Sequence, residues 1–165
     1  MKFRCERDVL VEALTMAGRA STTRNALPVL SGLKMSLEGN HLAVTGSDLE
    51  LTITASLEVA GNQDGVAVLP AKLAADIVRL IEPGAIEVDA TGERPRVSGG
   101  RSEFFLNAIP ADEYPARPEP VGESVTIAAG DLAEGLKQVV RAASTDDSRP
   151  VLTGVLMTAE DDGLR

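Results

Sequence analysis

One phrase that occurs twice limits what this chain can fold into more than any other feature. PVLSG stands at 28–32 and PVLTG at 150–154, 122 residues later. The flanks repeat as well, since "RDVLVEALTMAGRASTTRNALPVLSGLKM" is answered by "GDLAEGLKQVVRAASTDDSRPVLTGVLM". In each, an Asp (Asp8, Asp131) opens a run with apolar residues at helical spacing, an Ala-Ser-Thr closes it, and a Pro-led apolar run follows. Aligned on those two aspartates, the second copy has one residue fewer in its linker. Self-similarity at this period predicts a domain-level duplication. The 165 residues hold one complete domain and roughly a quarter to a third of another. With the polar ending "TAEDDGLR" directly after the second apolar run, the chain is expected to end inside that second domain.

Within the first copy, Phe3 and Cys5 share one side of a short strand and Asp8 stands where a helix cap belongs. Val9, Leu10, Ala13, Leu14 and Ala17 predict a helix over about 9–18, closed by Gly18. From Val29 the period changes to two. Leu33, Met35 and Leu37 alternate with polar residues, and after the "EGN" turn Leu49, Leu51, Ile53, Ala55, Leu57 and Val59 do the same. That alternation predicts antiparallel sheet with one wet face.

"VAVLPAKLAADIVRLIEPGA" predicts a strand and a second helix with Leu73, Ile77, Leu80 and Ile81 on its buried stripe, ending near Pro83-Gly84. "VSGGRSEFFL" at 97–106 repeats the pattern of "VTGSDLELTI" at 44–53, with "GSD" and "SGG" read as turns. The first domain is therefore expected over 1–118 as two strand–helix–sheet halves, roughly 1–60 and 61–118, each helix covering sheet. The class is α+β. "IPADEYPARPEPVGES" at 109–124, with four prolines and four acids, reads as linker, its last part at 119–124. The second domain opens at 125 with a strand carrying Val125 and Ile127. Asp131 and Glu134 then form a capping box before the stripe Leu132, Leu136, Val139 and Val140.

Composition narrows the function. The formal charge is −9, from 16 Lys and Arg against 25 Asp and Glu, so attraction to a polyanion has to come from local positive surface. No Lys or Arg lies between Lys34 and Lys72, and 112–165 hold eleven acids against five bases. Aromatic residues make up 2%, too few to build stacking platforms for single strands. His41 is the only histidine and reads as a solvated turn residue, so no metal site is expected. Cys5, the only cysteine, reads as a buried structural thiol without a base beside it. Asp48 and Glu50 read as the polar face of a strand, and Asp146 and Asp147 as a loop without the ligand spacing of a calcium site. Phosphate-loop patterns are absent, and neither catalytic residues nor a cofactor are expected. No stretch approaches the roughly 20 apolar residues of a membrane span, and the N-terminus lacks the apolar core of a signal peptide. A soluble, cytoplasmic protein without membrane partners is expected.

The bases that remain fall on predicted helices and the loops behind them. They are Arg19 and Arg24 after the first helix, Lys72 and Arg79 on the second, Lys137 and Arg141 on the third, and Arg149 before the second PVL. Arg24 and Arg149 hold matching places ahead of the two prolines. Helices on one side of a sheet line a surface that phosphates can meet, through contacts that read backbone rather than bases.

The stretches "MKFRCERDVLVEAL", "TTRNALPVLSGLKM", "LAVTGSDLELTI", "VLPAKLAADIVRLIEPGAIEV" and "RVSGGRSEFFLNAIPADEYP", with the restart ending in "RPVLTGVLM", resemble the bacterial sliding clamps, the beta subunits of DNA polymerase III. The resemblance runs in order along essentially the whole chain. It implies the DNA-clamp fold, with two helices packed on antiparallel sheet in each of three similar domains. Two subunits would close head to tail into a ring around duplex DNA, helices inside and sheets outside, tethering the replicative polymerase without covalent chemistry.

By the same resemblance Arg24, within "TTRNALP", is the DNA-contacting arginine of the first domain. Arg149, or Ser148 beside it, is the DNA-facing loop position of the second, and Lys72 and Arg79 are helix positions near the hole. Glu12 and the acids of "STDDSR" depart from a basic lining and imply weak contact. The second subunit is expected against the helix from Lys72 to Arg79 and strands near 101–109. Most of the groove for the polymerase and the clamp loader falls outside these residues. The alternative is a protein-interaction scaffold built from repeated α+β units that does not encircle DNA.

Overall fold

In the computed structural model, residues 1–21, 27–116, 124–146, 148–160 and 163–165 are described. The chain divides into two units, Met1–Arg117 and Pro118–Arg165. The first is an α+β body whose described residues form nine strands, β1 (Lys2–Glu6), β2 (Gly32–Glu38), β3 (His41–Ser47), β4 (Thr52–Glu58), β5 (Ala60–Gln63), β6 (Gly65–Pro70), β7 (Ala85–Asp89), β8 (Arg96–Gly99) and β9 (Ser102–Phe105). Its helices are α1 (Arg7–Ala17) and α2 (Ala71–Leu80).

The two expected halves do exist, as β1–α1–β2–β3–β4 and β6–α2–β7–β8–β9, but they do not make separate sheets. Strand order is β5-β1-β7-β8-β9 in one sheet and β4-β3-β2-β6 in the other, all neighbours antiparallel. Each half's leading strand lies in the other half's sheet, with Phe3 opposite Val88 and Met35 opposite Ala67. The exchange makes the halves interdependent, and the core beneath both helices is continuous.

α1 begins two residues before the sequence predicts, with Glu6 as N-cap and no capping side chain, so Asp8 sits in the first turn. Its carboxylate still favours the positive helix end from there. Leu10, Ala13, Leu14 and Ala17 are buried as expected, whereas Val9 is exposed. α2 departs further. Its buried face is Ala71, Ala74, Ala75, Ile77 and Val78, while Leu73 and Leu80 point to solvent. Ile77 and Ile81 are buried as expected, but three alanines and Val78 fill the rest of the buried side, so choosing by side-chain size misplaces Leu73 and Leu80. The helix stops at Ile81, short of Pro83.

Of the long alternation at 49–59, only residues 52–58 form strand; Leu49 and Leu51 are exposed in the preceding turn. There Asp48 Oδ1 accepts hydrogen bonds from the backbone N–H of Glu50 (3.0 Å) and Leu51 (2.7 Å). Asp48 therefore shapes a turn rather than lining a strand face. Gly46 and Ser47, read as turn residues, belong to β3, and Ser98 and Gly99 to β8.

The residues at 109–114, read as linker, pack into the first unit. Ile109 bridges to Val68, and Tyr114 is buried with Val29, Leu30 and Val68 while its hydroxyl donates to the Thr45 carbonyl at 3.1 Å. An apolar residue at every second or third position in IPADEY closes a small second core there. The segment 119–124 lies largely outside the described residues.

On the exposed face of the five-stranded sheet an ion-pair ladder crosses four strands. Lys2 Nζ lies 3.3 Å from Glu87 and 3.1 Å from Asp89, and Arg96 bridges Glu87 and Glu103 at 2.9 Å each. The Thr91 hydroxyl (2.6 Å) and Lys2 hold the Asp89 carboxyl at about 2, below its ordinary 3.8. A depressed folded-state pKa contributes stability above the unfolded value that is lost as pH falls through the folded one. Asp89→Asn is therefore expected to flatten the decline of thermal stability between about pH 4 and about pH 2. An unchanged decline would place the acid sensitivity elsewhere.

The second unit contains α3 (Ala129–Val139), a short 3-10 turn at Val140–Ala142, another at Pro150–Leu152, and a two-residue hairpin of β10 (Ala159–Glu160) and β11 (Gly163–Leu164). Residues 124–128 form no strand, contrary to expectation. β1 is held by β5 on one side and β7 on the other, and no counterpart of either pairs with 124–128. The capping box is also absent, because Ala128 is the N-cap and Asp131 falls inside the first turn.

These boundaries revise the repeat. Arg7 and Ala129 start helices, Gly18 and Val140 start 3-10 turns, and Pro28 and Pro150 start the next, each pair 122 apart. The register is uniform and the second linker has lost no residue. Alignment on Asp8 and Asp131 slips the helix by one position.

Candidate nucleic-acid interface

The surface that phosphates could meet is built from the solvent faces of α1 and α2. Helical spacing leaves Glu12, Thr15 and Met16 exposed on α1, with Arg19 in the turn that follows. On α2 it leaves Lys72, Asp76 and Arg79 in one stripe at i, i+4 and i+7. The faces join at one point. Arg79 donates from Nη2 to Thr15 Oγ1 at 2.8 Å and from Nη1 to Asp76 Oδ1 at 3.1 Å. The Thr15 hydroxyl donates to the Val11 carbonyl at 2.6 Å, so toward Arg79 its oxygen is an acceptor. Between the helices lies an open cleft of about 200 Å³, with Thr15, Gly18 and Ser21 on one wall and Lys72, Asp76 and Arg79 on the other.

The surface is mixed in sign. Arg19, Lys72 and Arg79 face Glu12 and Asp76, and Arg79 is already engaged. It offers local positive charge within an acidic protein without a dense basic lining.

Lys137 lies in the last turn of α3 and Arg141 in the 3-10 turn behind it, both exposed. In the uniform register they take the places of Thr15 and Arg19. Arginine thus recurs at 19 and 141, a correspondence that the slipped alignment hides. Arg149 corresponds to Leu27 and not to Arg24, so the pairing of Arg24 with Arg149 fails. Ser148 and Arg149 are exposed, but the Ser148 N–H donates to Asp146 Oδ1 at 2.9 Å. The Ser148 backbone and hydroxyl lower the Asp146 carboxyl. Arg24 and Asp147 lie outside the described residues.

The remaining chemistry-bearing residues are structural in their surroundings. His41 Nδ1 lies 2.8 Å from Glu58 on an exposed hairpin. Cys5 is half-buried against the core, and desolvation followed by the charge of Glu6 pushes its thiol up to about 12, so it stays protonated and unreactive. Among the described residues no three His, Cys, Asp or Glu come together as a metal site. Among them, too, no helix is long and apolar enough to cross a membrane.

Helices laid on exchanged antiparallel sheets, the start of a second copy in the same register, and a mixed-sign helical surface define a class: duplicated α+β proteins of the clamp architecture. Comparison gives the family. Residues 1–118 match the DNA polymerase III beta subunit, N-terminal domain, and the chain belongs to that family. It is 37% identical over 164 residues to the beta sliding clamp of Streptomyces coelicolor, covering 99% of this chain and 44% of the relative.

Among solved structures it resembles the DNA polymerase sliding clamp of Bacillus subtilis, with a TM-score of 0.91 and 30% identity over 97% of this chain and 45% of that one. It also resembles the DNA polymerase III beta subunit of Pseudomonas aeruginosa, with a TM-score of 0.89 and 28% identity over 95% and 43%. The chain thus spans less than half the length of each of these three relatives.

Proposed function

We propose that these residues are the first domain, 1–118, and the opening of the second, from 125, of a ring-shaped sliding clamp. The ring encircles duplex DNA and tethers the replicative polymerase, and it acts without catalysis or cofactor. The observation that carries this reading is the shared register of the two copies. It puts Arg19 and Arg141 at one repeat position and Lys137 at the place of the exposed Thr15, while the first unit adds Lys72 and Arg79 from α2. A ring that repeats this surface meets phosphates all round without reading bases.

Arg24, Lys72, Arg79, Lys137, Arg141, Ser148 and Arg149 are the proposed DNA contacts, each weak. The second subunit adds at β9, an edge of its sheet, where Phe105 is exposed and the Arg94 guanidinium lies 5.5 Å from its ring centre. An open edge of this kind pairs readily with another strand. Polymerase and clamp loader bind mainly through parts of the protein beyond these residues.

Arg24→Ala and Lys72→Ala are each expected to lower DNA affinity and reduce the slope of log K against log salt by up to about 1. Slopes unchanged in both variants would favour a protein-interaction scaffold.

A further inference from the structure

We propose that Asp76 is a built-in restraint on DNA contact, a carboxylate that competes with phosphate for the Arg79 guanidinium in the α1–α2 cleft. The inference rests on the clamp reading and adds to it a residue that sets how tightly the helices hold DNA.

Asp76 lies between two cations on one stripe of α2, four residues after Lys72 and three before Arg79. Arg79 spends one terminal nitrogen on Asp76 and the other on Thr15 across the cleft. Thr15 cannot compete as a donor, since its proton is committed to Val11. Both ends of the Arg79–Asp76 pair are about half exposed, at 46% and 49%. Exposed pairs of this kind are weak, so a phosphate can displace the carboxylate and the carboxylate can recapture the cation. Each release from DNA is then compensated within the protein. Contacts made this way are brief, as a sliding ring requires, and Asp76 lowers affinity without removing the cation.

The test compares the full-length protein with Asp76→Asn, Arg79→Gln and the double variant, by affinity for a short linear duplex between 50 and 200 mM salt. Asp76→Asn is expected to bind more tightly, with a slope steeper by about 1 and a gain about three- to fourfold larger at 50 mM than at 200 mM. The gain should vanish in the Arg79→Gln background. Unchanged binding by Asp76→Asn would overturn the proposal. An equal gain with and without Arg79 would also overturn it, marking a through-space effect of lost negative charge. If Asp76→Asn does not fold, Asp76→Ser, which also removes the carboxylate, should show the same Arg79-dependent gain, and no gain overturns the proposal. Wild-type protein that shows no salt-dependent DNA binding defeats the clamp reading itself. An Asp76→Asn variant indistinguishable from a DNA-binding wild type defeats only the restraint.

Discussion

Gly46→Ala is expected to destabilise the first unit by about 3 kcal/mol or more, the upper end of what overpacking costs. Gly46 lies in β3 under the C-terminal end of α1, and a methyl group there would overlap the Ala17 carbonyl and sit 3.0 Å from Leu33 Cδ2. The obstacle is backbone at the end of α1, where Ala17 is 0% exposed, so it cannot swing aside. Gly99 is the matching residue of the other half, beside Ile81 at the end of α2. An added methyl there meets the methyl carbons of Ile81 and Ile86 at 2.7 and 2.8 Å. Side chains can shift, and Gly99→Ala is expected to cost about 1–2 kcal/mol. Denaturant unfolding of both variants decides. Equal, small losses would mean that α1 does not approach β3 as closely as described.

The second large effect is a contrast between counterparts. Leu14→Ala is expected to cost about 2–5 kcal/mol, because Leu14 is 2% exposed and its removal leaves a cavity under α1. Leu136 holds the same place in α3, yet it is only partly buried and no residue of α3 is fully buried. Together with Leu132, Val139, Val155 and Met157 it lines an open apolar hollow of about 390 Å³. Leu136→Ala is therefore expected to cost less than about 1 kcal/mol in this chain, since little apolar surface leaves water there on folding. Amide exchange, read separately over 1–116 and 124–165, measures both. A loss at Leu136 as large as at Leu14 would show that the α3 face is covered in solution.

Both contrasts explain what could be read in advance. The duplication, the first helix and the alternating strand β2 were legible because each buries large apolar residues at one clear period. α2 was legible as a helix and its face only in part, since Ile77 and Ile81 are buried but Ala74 and Ala75 pack where Leu73 and Leu80 stay wet. The exchange of β1 and β6 between sheets leaves no mark in local pattern, because it depends on pairings such as Phe3–Val88 and Met35–Ala67 between strands far apart in sequence. Of the candidate surface, the residue types and helices could be read. The tie of Arg79 to Thr15 joins residues 64 apart in sequence and could not. The one-residue slip in the repeat came from matching two aspartates as caps, where the helices start without side-chain caps at all.

The central claim is that this protein holds DNA by encircling it. The direct measurement loads the full-length protein with its loader onto nicked circular duplex DNA, linearises half of the sample, and compares the protein retained at moderate salt. Retention on circles with loss from the linearised half is the expected result. Equal retention on both would contradict encirclement and leave a local binding site in its place.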